Sequence, residues 1–213
     1  FDAGSQYRSG ARMGPRGIRE ASTLFSFGHA GAYDFEDDIT YLPAESTKIV
    51  DIGDADIIHT DTKQSHENIK LSVKKILDSN CIPVVLGGDH SINIPCIDAF
   101  EDQEPIHLIQ IDAHLDFVDE RHGVRFGHGN PMRRAAEKEY VSGMTQIGIR
   151  NVSSTAKEGY IDAKERLDKK GTFFKERILQ ALRHGKHVDE DMSELYVKDR
   201  TKLPFTKKIK ELE

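Results

Sequence analysis

His107-Leu108-Ile109-Gln110-Ile111-Asp112-Ala113-His114-Leu115-Asp116 is the stretch that decides how this chain of 213 residues is read. Its first half is a short apolar run, the pattern of a strand in a parallel sheet whose two faces are both covered. Its second half spaces Asp112, His114 and Asp116 at i, i+2 and i+4. In an extended chain alternate side chains share a face, so the three are expected to point the same way. The carboxyl end of a parallel strand is also where ligands gather in open α/β sheets.

Working outward, Ile82-Pro83-Val84-Val85-Leu86 and Thr145-Gln146-Ile147-Gly148-Ile149-Arg150 carry the same strand signature. Residues 83–86, 108–112 and 146–149 are expected to be neighbouring or near-neighbouring buried strands. Helices separate them. Ile69, Val73, Ile76 and Leu77 share one face of a helix over residues 66–79, and a second helix is expected over residues 131–140. Pro15 suits the first turn of another through Ile18-Arg19-Glu20. The expected class is α/β: a three-layer α/β/α arrangement with a mostly parallel sheet. Phe1-Asp2-Ala3-Gly4 reads as a strand end running into a loop, so the fold is expected to be truncated. From Arg166 the texture changes. Phe173, Phe174, Ile178, Leu179 and Leu182 form the apolar stripe of a helix that can end at Gly185, and residues 206–213 suit a short charged helix. Residues 1–165 thus read as one α/β domain, and residues 166–213 as a basic, helix-rich tail that does not complete the sheet.

Composition narrows the class. Hydrophobic residues at 37% and charged ones at 31% allow a packed core. Two cysteines, Cys81 and Cys96, exclude a disulfide scaffold and a cysteine-based zinc module. No apolar run approaches the roughly 20 residues that span a bilayer, and the first residues lack a signal-peptide layout, so a cytoplasmic protein is expected. The net charge of −6 divides into +4 for residues 166–213 and −10 for the rest, which holds eight of the ten histidines. Without aromatic interleaving or an Arg-rich block, the basic tail reads as solvated surface and not as a nucleic-acid contact.

A fourth ligand candidate is His90, in Leu86-Gly87-Gly88-Asp89-His90-Ser91, where the glycines let the backbone approach a site. Carboxylates with imidazole suit manganese, iron, nickel or zinc, and spacing alone does not choose among them. The competing reading is that Asp112 and Asp116 cap the following turn while His114 packs in the core.

Residues 86–98 and 108–116 resemble the two N-terminal signatures of the ureohydrolase family, which includes arginases and agmatinases. The likeness extends to Arg8-Ser9-Gly10-Ala11-Arg12-Met13-Gly14-Pro15, to Phe126-Gly127-His128-Gly129 and to Gln146-Ile147-Gly148-Ile149-Arg150. Residues 151–164 continue in the style of the agmatinase-like branch, and the resemblance covers about residues 1–165.

That resemblance implies a manganese-dependent hydrolase with a binuclear site. His90, Asp112 and Asp116 would help hold one ion, and His114 with a bridging Asp112 the other. Water acidified by the two cations would attack the guanidinium carbon of a small cationic substrate, agmatine being favoured, and release urea in a route to polyamines such as putrescine. His128 matches the family's loop histidine, the proton carrier to the leaving amine. A homo-oligomer without nucleic-acid or membrane partners is implied as well. The family's later Ser-x-Asp-x-Asp-x-x-Asp-Pro motif has no counterpart here beyond Asp189-Glu190-Asp191, which lacks the flanking strand and the trailing Asp-Pro. The alternative expectation is therefore a catalytically inactive fragment or a non-catalytic subunit.

Overall fold

The computed structural model describes residues 1–24, 31–43 and 45–169. They gather into two compact units, one formed by the described residues of Phe1–Asp102 with Val124–Pro131 and the other by Gln103–Gly123 with the described residues from Met132 onward.

In the first unit, α1 (Gly14–Ser22) carries Pro15 in its first turn, where no amide donor is needed. Arg16 pairs with Glu20 one turn on, and Arg19 reaches Asp51 and Asp54 at 2.7 and 2.5 Å. A short antiparallel hairpin follows, β1 (Ala32–Asp34) and β2 (Ile39–Tyr41). Asp34 Oδ1 accepts the Glu36 and Asp37 amides at 2.8 and 3.3 Å and so shapes its turn. The sequence gives little warning of this hairpin, because its turn is acidic and has no glycine. Next, α2 (Thr62–Asp78) begins four residues ahead of the expected helix. Asp61 caps it by accepting the Gln64 amide at 2.9 Å. Its buried stripe of Ser65, Ile69 and Val73 follows the four-residue spacing of one helix face. It packs with α3 (Asn93–Asp98), whose Ile94, Pro95 and Ile97 are buried. Lys70 and Lys74 pair with Glu101 and Asp102 at 2.5 and 2.9 Å.

One expectation fails in this unit. Residues 83–86 belong to no strand among the described residues, and Ile82, Val84, Val85 and Leu86 are exposed. An apolar run becomes a strand only where a neighbour supplies hydrogen-bond partners, and Pro83 offers no amide of its own.

In the second unit, β3 (Ile106–Ile111) and β4 (Val141–Ile147) pair in parallel, with Gln110 opposite Gln146 and Ile111 opposite Ile147. The α/β class with parallel pairing is therefore present. The strand expected at residues 146–149 lies earlier and stops at Ile147. There Gly148, at φ +87°, turns the chain so close to the Asp112 carbonyl that an added Cβ would sit 3.3 Å from it. Gln110, Met144 and Gln146 are buried, whereas Ile109 and Ile111 are 63% and 81% exposed. Coverage of both faces, expected from the apolar run, is thus found on one face only among the described residues. The described helices of this unit pack elsewhere. The amide of Arg133, in α4 (Pro131–Ala136), donates to the Asp116 carbonyl at 3.3 Å. α5 (Ser154–Lys169), capped by Ser153 Oγ accepting the Ala156 amide at 3.2 Å, sets Tyr160 edge-on to Phe117 with ring centroids 5.8 Å apart. α4 ends before residue 140, since the Tyr140 carbonyl accepts the Ile106 amide at 2.9 Å where β4 begins. The tail helices expected at residues 173–182 and 206–213, and Asp189-Glu190-Asp191, lie outside the described residues.

Candidate metal centre

The ladder between the two parallel strands continues past the end of β3 and carries the ligand motif with it. The Asp112 amide donates to the Ile147 carbonyl at 3.0 Å, and the Ala113 carbonyl accepts the Arg150 and Asn151 amides at 3.0 and 3.1 Å. Asp112 Oδ1 accepts the His114 amide at 2.7 Å and lies 3.3 Å from His114 Nδ1. Asp112 and His114 are therefore a touching carboxylate–imidazole pair at the carboxyl end of a parallel strand, the location expected for a ligand site.

Asp116 meets Asp112, a carboxylate oxygen of each lying within 4.8 Å of the other. Its φ of +52° is left-handed, which ends the regular alternation. The side chain is buried, and its Oδ2 accepts a hydrogen bond from Gln110 Nε2 at 2.9 Å. Gln146 in turn donates to Gln110 Oε1 and, at 2.8 Å, to the Leu115 carbonyl. Sequence reading missed this pair of amides. The signal was a glutamine inside each of the two strands, but its meaning depends on a register that pairs residues 36 apart.

His90 and His128 belong to the first unit. His90 opens a single 3-10 turn, His90–Ile92, capped by Asp89. Asp89 Oδ1 accepts the Ser91 amide at 2.8 Å and Oδ2 the Gly4 amide at 2.9 Å, so this carboxylate shapes the loop. The His128 amide and Nδ1 lie 3.1 and 3.0 Å from the Gly4 carbonyl. A carbonyl only accepts, so Nδ1 is the donor in this contact. Gly4 thus joins the Asp89 turn to the His128 loop. A Cβ there would fall 2.3 Å from Ser91 Oγ, so any larger residue would force the Ser91 and Asp89 side chains to shift. Gly4 is a second position that sequence reading missed, because its contacts span 85 and 124 residues. Among the remaining histidines, His66 lies between the rings of Phe1 and Phe126, at 5.3 and 6.3 Å. Burial pulls its pKa below the ordinary value, against the opposing charges of Asp89 and Asp98. His107 Nε2 meets Thr145 Oγ1 at 2.9 Å.

Carboxylate oxygens beside an imidazole are a donor set that divalent manganese, iron, nickel or zinc accepts. Asp112 lies against an imidazole and Asp116 against a neutral amide, so the residues fit a divalent cation.

Comparison with known proteins agrees with this chemistry. The Arginase family model matches residues 1–200. The mitochondrial guanidino acid hydrolase of Homo sapiens is 35% identical over 160 residues, which are 73% of this chain and 43% of that protein. The mitochondrial agmatinase of Gallus gallus is 35% identical over 156 residues, 72% of this chain and 44% of that protein. The chain therefore spans less than half the length of either relative. Both names place those relatives in mitochondria, so the likeness does not carry the expected cytoplasmic location. Among the described residues no helix is long and apolar enough to cross a membrane. Among solved structures, formimidoylglutamase from Bacillus subtilis superposes with a TM-score of 0.65 at 26% identity, covering 88% of this chain and 60% of that one. Its fold and its sequence signatures together make this chain a member of the arginase family.

Proposed function

We propose that this chain serves a metal-dependent amidinohydrolase that cleaves a guanidino compound, agmatine in preference, to an amine and urea. The observation that carries the reading is the Asp112–His114 contact at the end of β3, with Asp116 buried beside it, inside the segment matched by the family. His90, Asp112 and Asp116 would hold one divalent ion, manganese by family likeness, and His114 with Asp112 a second, weaker one. Such an ion supplies Lewis-acid activation of water for attack on the guanidinium carbon. The chain's own contribution is to orient these donors and to hold a proton. With Nδ1 engaged by the Gly4 carbonyl, His128 Nε2 is the nitrogen that would exchange a proton with the leaving amine.

The −10 charge of residues 1–165 favours a cationic substrate through long-range attraction. Those residues carry the function, residues 166–213 are an appended tail, and the working unit is a homo-oligomer. Urea release measured across agmatine, arginine and guanidinobutyrate with added Mn2+ tests the substrate. Fastest release from agmatine supports the preference, and equal rates or none reject it. A second reading, a non-catalytic subunit, draws on one observation: Asp189-Glu190-Asp191 is the only Asp-x-Asp beyond residue 150 and lacks a trailing Asp-Pro. Metal content that resists removal, without urea release from any of these compounds, would favour it.

A further inference from the structure

Two glutamines face each other across the β3–β4 ladder, each 7% exposed, on the buried face of the sheet. A carbonyl only accepts, so the Leu115 carbonyl fixes which way the Gln146 amide is turned and leaves Gln146 Oε1 buried without a hydrogen-bond partner among the described residues. Gln146 Nε2 donates to Gln110 Oε1 and to the Leu115 carbonyl. Gln110 therefore has its oxygen committed to Gln146 and its nitrogen turned outward along the strand. That nitrogen donates to Asp116 Oδ2 at 2.9 Å. Asp116 is itself 8% exposed and sits in a left-handed backbone conformation. An ionised carboxylate only accepts, so an amide locked with its donor forward is the complementary neutral partner. It orients the carboxylate without cancelling the negative charge that a cation needs.

We infer that Gln110, set by Gln146, is a positioning residue that orients Asp116 for a divalent ion, an inference that rests on the ion site proposed above. Outer partners of this kind typically govern metal affinity by 10- to 100-fold. Gln110→Glu is the discriminating variant. It keeps the side chain's reach and the bond accepted from Gln146, but presents an acceptor and a charge to Asp116. The double variant Gln110→Leu with Gln146→Leu removes both amides at once, taking from Asp116 Oδ2 and the Leu115 carbonyl the donors these amides supply.

The test is titration of the full chain with Mn2+ alone, by calorimetry and by the EPR spectrum of bound Mn2+. Melting of the metal-free proteins confirms that each variant is folded. Gln110→Glu is expected to bind about 10- to 100-fold more weakly with an altered EPR line shape, and the double variant about 10-fold more weakly. If the double variant does not fold, Gln110→Glu decides the matter. Affinities within twofold of the parent, with unchanged spectra, would overturn the positioning role and leave the ion site standing. Failure of the parent chain itself to bind Mn2+ would overturn both.

Discussion

The two units hold their candidate ligands by different means. In the first, His90 and His128 are placed through main-chain groups: Asp89 is gripped by the amides of Gly4 and Ser91, and His128 by the Gly4 carbonyl. In the second, Asp112 and Asp116 are placed by a parallel ladder and by side chains that reach across it. Main-chain holding tolerates most side-chain exchanges but not a new Cβ at the crossing point. Ladder and amide holding tolerates a change in the loops but not a change of hydrogen-bond polarity.

The largest effect expected from a single substitution falls on the second unit. An added Cβ at Gly159 in α5 would lie 1.8 Å from the Phe117 carbonyl, and backbone cannot swing aside as a side chain can. Gly159→Ala should destabilise by about 3 kcal/mol despite the better helix propensity of alanine, read by urea denaturation. A change below 1 kcal/mol would mean that α5 does not pack against residue 117 as described.

Next comes the corresponding crossing in the first unit. Gly4→Ala places a Cβ 2.3 Å from Ser91 Oγ and 2.5 Å from Asp89 Oδ1. Because a serine side chain can rotate, about 2 kcal/mol is expected. The His128 ring should also lose its bond to the Gly4 carbonyl, visible as a changed imidazole nitrogen shift in NMR. An unchanged shift would contradict main-chain holding.

A smaller effect is a pH dependence confined to the first unit. His66 is half-buried between two rings, and its partial burial depresses its folded-state pKa below the ordinary 6.5. A depressed value means that the unfolded chain takes up a proton first as the pH falls. The stability held by neutral His66 is complete above pH 6.5 and is lost as the pH drops through its folded pKa. His66→Phe should flatten that part of the melting profile. An equally steep profile in the variant would assign the slope to other groups.

These contrasts explain which parts of the molecule the sequence discloses. The buried face of α2 is a local pattern, so Ile69 and Val73 could be assigned from spacing alone, whereas its start after Asp61 was not read. β3 was equally legible, as was the arrival of Asp112 and His114 at a strand end, whereas of β4 only Gln146 and Ile147 were read. The run from Ile82 to Leu86 is at least as apolar as β3 yet is not a strand, because composition does not say whether a neighbour is present to complete the ladder. The left-handed turn at Asp116, the Gln110–Gln146 pair and the Gly4 crossing escaped for a related reason. Each depends on contacts between residues far apart in the chain, which no local period encodes.

The central claim is that this donor set takes a divalent ion with Asp112 at its heart. Metal analysis of the full chain, equilibrated with excess Mn2+ and then freed of loosely held metal, tests it most directly. The account predicts one tightly held ion per chain, lost in Asp112→Asn while the variant keeps its fold. No tightly held ion in the parent chain, or an ion that survives Asp112→Asn, would contradict it.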